Sequence, residues 1–129
     1  VHHKDEGLFF HIGDGAAIAL KDDSYENFVA SRPENGNFAC ETFFYTQQAW
    51  AENLRFTSFS NAHTIFLMSD GLTNDFKDIE KGFIVPINNF LRDEKAKTKA
   101  ERALANTLNT PRAQKLNSDD KTLVWAKVK

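Results

Sequence analysis

The chain has 129 residues, with 16 Lys and Arg against 18 Asp and Glu and a formal net charge of −2. That length holds one domain with a real core, and the near-balanced charge excludes a strong electrostatic footprint for nucleic acid. A single cysteine, Cys40, rules out an internal disulfide and points to a reducing compartment such as the cytoplasm, and no stretch reads as a membrane span or a signal peptide.

Val1-His2-His3 leads through Lys4-Asp5-Glu6-Gly7 into an apolar run, the pattern of one strand's tail, a turn ending in Gly and the next strand. The chain is therefore expected to start in mid-domain. Leu8 to Leu20 reads as a strand interrupted by Gly13-Asp14-Gly15, where the two Gly mark a bend or bulge that re-aims the Asp side chain. Lys21-Asp22-Asp23-Ser24 is a turn, and Asn27 to Ser31 returns as the second arm of a hairpin. Arg32 to Ala39, with Pro33, Asn35, Gly36 and Asn37, is expected to be a long, mobile loop.

Thr42 to Thr46 is β-like, and Gln47 to Glu52 holds a short helical turn at best. Leu54 to Phe59 alternates Leu54, Phe56 and Ser58 against Arg55, Thr57 and Phe59, which suits a strand with one buried face. After a turn at Asn61-Ala62, His63 to Met68 is a continuous apolar run, as expected of a central strand covered on both faces. Leu72 to Asp78 suits a helical turn or two, with Asn74 and Asp75 near its start. Pro86 opens a helix to about Glu94 with Ile87, Phe90 and Leu91 on one side. Lys97 to Asn109 carries Ala100, Ala103, Leu104 and Leu108 at helical spacing. Thr110-Pro111 is an N-cap followed by proline at the first helical position, so a helical segment is expected over 86–117. Leu123 to Val128 closes the chain as a strand, with Leu123, Trp125 and Lys127 on one face.

Strands first, helices next and one last strand argue an α+β fold with mostly antiparallel strands. Phe9, Phe10, Phe43, Phe44, Phe56, Phe59, Phe66 and Phe76 lie mostly in β-like runs and are expected to pack in the core.

Three acidic stretches stand out: Ile12-Gly13-Asp14-Gly15, Leu67-Met68-Ser69-Asp70-Gly71 and Ser118-Asp119-Asp120-Lys121-Thr122-Leu123-Val124. Each places a carboxylate at the end of an apolar, β-like run. Hard cations such as Mg²⁺ and Mn²⁺ take oxygen ligands, and Asp is a short charged donor. The joint pattern points to metal-assisted chemistry on phosphate. Taken singly, each Asp-Gly is an ordinary turn, so a domain in which the three Asp serve only as turn residues stays open.

The residues resemble the C-terminal half of metal-dependent protein phosphatases of type 2C, in particular bacterial members. Phe10-His11-Ile12-Gly13-Asp14-Gly15-Ala16-Ala17 resembles the family's Gly-Asp-Ser/Gly motif, and Ile65-Phe66-Leu67-Met68-Ser69-Asp70-Gly71-Leu72 resembles its Ser-Asp-Gly motif. Asp119-Asp120-Lys121-Thr122-Leu123-Val124 resembles the closing Asp-Asn/Asp-x-Thr motif, and Glu34 to Thr42 resembles the variable flap of bacterial members, placed over 32–41. The resemblance covers essentially the whole chain. It implies a two-sheet antiparallel β-sandwich flanked by helices, of which residues 1–129 are the C-terminal portion.

It further implies that Asp70 and Asp119 bind a first Mg²⁺ or Mn²⁺, and that Asp14 with Asp70 holds a third, weaker ion. The implied reaction is hydrolysis of phosphoserine or phosphothreonine in proteins by a metal-bridged hydroxide, with two ions about 3.5–4 Å apart. The family's Asp-Gly-x-Gly-Gly motif, whose Asp bridges both metals, does not occur in these residues, nor does the matching phosphate-gripping Arg. The chain alone is therefore expected to be inactive or nearly so, with the missing N-terminal half as its natural partner. A non-catalytic, phosphatase-like module that binds a phosphoprotein or partner domain is the alternative. Asp120 stands where many relatives carry Asn. Of the remaining candidates, His3 and His11 could face each other across a hairpin, and Asp22-Asp23 solvates a turn. Cys40 has no neighbouring His or Lys to activate it, and Trp50 and Trp125 read as packing residues.

Overall fold

The computed structural model describes residues 1–21, 27–34, 42–73, 84–91 and 97–128. Most of the turn expected at 21–24, most of the flap-like loop over 32–41, most of the helical turn expected over 72–78, the end of the helix expected to about Glu94, Cys40 and Phe76 lie outside them.

The described residues form two antiparallel sheets. The first has the order β1-β2-β5, from β1 (His2–His3), β2 (Glu6–His11) and β5 (Arg55–Ser60). The second has the order β4-β3-β6-β7, from β3 (Ala16–Leu20), β4 (Phe28–Ser31), β6 (Thr64–Met68) and β7 (Leu123–Lys127). Among the described residues a 3-10 turn (Asp70–Leu72) and three α-helices, α1 (Ile84–Leu91), α2 (Lys97–Leu108) and α3 (Pro111–Leu116), precede β7. The α+β class and the antiparallel pairing follow the sequence reading.

The apparent strand from Leu8 to Leu20 is two strands in different sheets, because Gly13 turns the chain at a φ of 94°. That conformation is costly for residues with a Cβ. The turn after β1 is Lys4-Asp5, with Lys4 at a φ of 55°, and Gly7 lies inside β2 rather than closing the turn.

β3 explains how the layers meet. All five of its residues are buried. Ala17 and Ala19 face the first sheet, where they pack with Phe9, Phe59 and Ala62. The Phe9 and Phe59 rings lie 4.5 Å apart at 36°, and the small alanines leave room for them. Ala16, Ile18 and Leu20 point the other way and join Phe66, Met68, Leu72, Ile84 and Leu108 in the main core. The helices therefore cover the outer face of the second sheet through Ile84, Ile87, Leu104 and Leu108.

Several expectations are corrected. Residues 42–44 form no strand. Gln47 turns the chain back on Phe44, its amide donating to the Phe44 carbonyl at 3.1 Å while its side chain accepts from the Phe44 amide at 3.3 Å. Further turns close from Trp50 to Gln47 and from Asn53 to Trp50, both at 3.2 Å. Helix α1 begins at Ile84, two residues before Pro86, which places the proline in the first turn where its missing N–H costs nothing. Strand β6 is central, between β3 and β7, yet Leu67 is 44% exposed. Among the described residues the first sheet reaches Ala17, Ala19 and Ile65 but not Leu67 or its cross-strand neighbour Val124.

The aromatic residues divide likewise. Phe9, Phe59 and Phe66 are buried, whereas Phe10, Phe44 and Phe56 are exposed. Phe10 and Phe56 are paired across β2 and β5 on the outer face of the first sheet. Trp50 is exposed, and Trp125 packs against the main core. His3 pairs with Glu6 while His11 pairs with Arg55, so the two histidines stand at opposite ends of β2 and do not meet. As expected, Thr110 caps α3, its hydroxyl accepting from the Ala113 amide at 3.3 Å with Pro111 in the first turn.

Candidate functional site

Strand register brings the three acidic stretches to one end of the second sheet. Ala16 pairs with Met68, and Met68 pairs with Leu123. Asp14 lies just before Ala16, Asp70 just after Met68, and Asp119-Asp120 just before Leu123. Neighbouring strands running in opposite senses thus deliver three acidic loops to the same edge.

The loops are locked by their main chains. Ser69 donates its amide to the Thr122 carbonyl at 3.1 Å, and its hydroxyl accepts from the Thr122 amide at 3.0 Å. The same hydroxyl donates to the Asp120 carbonyl at 3.2 Å. Gly71 is pressed against that segment: a Cβ there would stand 2.3 Å from the Asp120 oxygen and 3.2 Å from the Asp119 oxygen. Only glycine allows this approach. Thr73, which is buried, completes the joint, its hydroxyl shared between the Asp14 and Asp70 carbonyls at 3.0 Å each.

The side chains are differently engaged. Asp70 is exposed, and its Oδ1 accepts from the Gly71 amide at 2.8 Å. Asp119 is exposed, with its amide donating to Asn117 Oδ1 at 2.9 Å and its carbonyl accepting from Lys121 Nζ at 2.9 Å. Asp14 is half-buried, and its Oδ2 accepts from the Thr42 hydroxyl at 2.7 Å. Among the described residues no three His, Cys, Asp or Glu side chains gather closely enough to hold a metal ion. The register unites the three loops, but the carboxylates do not converge into one ligand set.

A second network braces the Gly13–Asp14 bend from behind. Arg55 donates through Nη2 to the Gly13 carbonyl at 2.8 Å and through Nη1 to the Arg32 carbonyl at 2.7 Å. Its Nε stands 3.1 Å from Glu34 Oε2, an ion pair without an aligned hydrogen bond. His11 Nδ1 lies 2.9 Å from the Ser31 hydroxyl and 3.4 Å from Arg55 Nη2. Arginine only donates, which assigns Nδ1 as the acceptor and the ring proton to Nε2. Burial, then the Arg55 charge, lowers the His11 pKa below its ordinary value, with Asp14 and Glu34 opposing.

Thr42, Arg55 and Ser31 enter the sequence reading only as strand and loop positions and Thr73 not at all, so none of the four is a candidate site residue there. Arg55 carried a signal, since it shares the inward face of its strand with Thr57 and Phe59. Thr42 and Thr73 carried none, because a threonine in a loop has no period to betray its partner.

A two-sheet antiparallel sandwich with acidic loops at one sheet end defines the class of protein. A family model described as Protein phosphatase 2C matches residues 1–109, and the chain belongs to that family. Membership supports a phosphatase function in general terms. The match includes Asp14 and Asp70, while Asp119 lies past its end. Searches of curated proteins and of solved structures returned no match. Among the described residues no helix is long and apolar enough to cross a membrane.

Proposed function

We propose that the chain is the C-terminal portion of a bacterial-type, cytoplasmic Ser/Thr protein phosphatase that hydrolyses phosphoserine and phosphothreonine in proteins using Mg²⁺ or Mn²⁺. The observation that best supports this reading is the locking of the three acidic loops to one another through Ser69, Gly71 and Thr73. A turn residue without a task needs no such joint to two other loops.

The donor chemistry fits a hard cation, since every candidate ligand atom is a carboxylate oxygen. Asp70 and Asp119 would hold the first ion, and Asp14 with Asp70 a weaker one. Bound in pairs, such ions lower the pKa of water and neutralise charge on the phosphoryl oxygens. The chain's own part is to hold the carboxylates ready. The Ser69–Thr122 and Thr73–Asp14 bonds fix the loop main chains, so that binding has only side chains to rearrange. Residues 32–41 would border the site and influence substrate choice. The 129 residues carry no Asp-Gly-x-Gly-Gly, so on their own they would turn over little or nothing, and activity would need an upstream half that supplies the bridging carboxylate.

Hydrolysis of a phosphothreonine peptide, with Mn²⁺ or with EDTA, tests the proposal on the polypeptide as its source makes it. Turnover that needs Mn²⁺ and falls at least 100-fold in Asp70→Asn is expected, on the order of the upper cost of disturbing a metal ligand's surroundings. Turnover that survives both EDTA and Asp70→Asn overturns it. The alternative, a non-catalytic module that binds a phosphoprotein or a partner domain, draws on the engagement of Asp70 by its own turn and on the lack, among the described residues, of three acidic or other ligating side chains close enough to hold an ion. It predicts peptide binding without turnover.

A further inference from the structure

We propose that Thr42 is a positioning residue for Asp14, its hydroxyl fixing the carboxylate for a cation at the end of the second sheet. The inference rests on the metal reading proposed above and adds a residue to it.

The main chain around Asp14 is already held on both sides. The Gly13 carbonyl accepts from Arg55 Nη2 at 2.8 Å and from the Glu34 amide at 3.2 Å. The Asp14 carbonyl accepts from Thr73 at 3.0 Å. What remains free is the side chain, and there Thr42 acts. Its hydroxyl reaches Asp14 Oδ2 at 2.7 Å, the length of a charge-assisted bond. Thr42 is itself set close by, for a Cβ on Gly13 would stand 3.1 Å from the Phe43 carbonyl and 3.6 Å from the Thr42 methyl.

The donor is neutral, and that decides its use. A Lys or Arg on Asp14 would cancel the charge a cation needs. Arg55 braces the same bend but places its Nε on Glu34. A hydroxyl takes one lone pair of a carboxylate that offers about four acceptor positions. It orients the group and leaves its charge in place. Partners of this kind behind a metal ligand set affinity by roughly 10- to 100-fold.

The test is Mn²⁺ binding to the 129-residue chain, followed by electron paramagnetic resonance of free Mn²⁺, for the native chain, Asp70→Asn, Asp14→Asn, Thr42→Val, Thr42→Ser and the double variant Asp14→Asn/Thr42→Val. Melting without metal is recorded for each. The binding step sensitive to Asp14→Asn should weaken about 10-fold in Thr42→Val and recover in Thr42→Ser, with each variant melting as a folded protein. In the Asp14→Asn background Thr42→Val should add nothing, because Thr42 acts only through Asp14. Equal or tighter Mn²⁺ binding in Thr42→Val overturns the inference, as does a loss that persists without the Asp14 carboxylate. If Asp14→Asn leaves binding unchanged while Asp70→Asn abolishes it, the inference fails and the phosphatase reading stands. If Asp70→Asn binds Mn²⁺ like the native chain, the metal reading itself fails.

Discussion

Single residues set the geometry of the acidic end. Gly71 is the sharpest case, since any Cβ would meet the Asp120 carbonyl at 2.3 Å. Backbone oxygen cannot swing aside as a side chain can, so one loop must retreat from the other. Gly71→Ala should therefore destabilise the chain by about 1–3 kcal/mol, the usual cost of overpacking, and urea unfolding would measure it. The same variant should weaken Mn²⁺ binding although it removes no ligand. His11 gives a pH dependence. Its pKa is lower folded than unfolded, so the folded state holds it neutral while the unfolded state takes up a proton first. The stability it contributes is complete above its ordinary pKa of about 6.5 and is lost as pH falls through that value toward the folded one. Thermal melts between pH 7.5 and pH 5 should show this decline, and His11→Gln should flatten it; an equal slope in both proteins would contradict the assignment.

At the scale of elements, β3 and β6 carry the core. Phe66 is fully buried, between the helices and the neighbouring strands. Phe66→Ala should cost about 3–5 kcal/mol, measured by the same urea titration. The strands, the Thr110 cap and the order of elements were legible in the sequence because they rest on local signals: period-two alternation, a capping threonine, a proline in a first turn. The partition of Leu8–Leu20 between two sheets was not legible, because one positive φ at Gly13 looks the same in sequence whether it makes a bulge or a crossing. Residues 42–46 misled for a related reason. Phe43, Phe44 and Tyr45 have the composition of a strand, but Gln47 captures the Phe44 amide and carbonyl in a turn. The acidic stretches could be found one by one. Their shared edge depended on the pairing of β3, β6 and β7, which no local pattern specifies.

The whole molecule is a sandwich with unequal coverage. Helices shield the outer face of the second sheet, whereas Phe10 and Phe56 stand exposed on the outer face of the first, and Leu67 and Val124 on the inner face of the second. Exposure accounts for the failure of the simple rule that Phe in strands means core, since alternation puts every second side chain on the other face. The end of the second sheet, where the register brings together the loops that carry Asp14, Asp70 and Asp119, is where a cation would sit. The most direct measurement is anomalous scattering at the manganese edge from crystals of this chain grown in Mn²⁺. A peak within bonding distance of the Asp70 and Asp119 carboxylates is the predicted result. Ordered Asp70 and Asp119 side chains with no peak beside them at saturating Mn²⁺ would contradict the account.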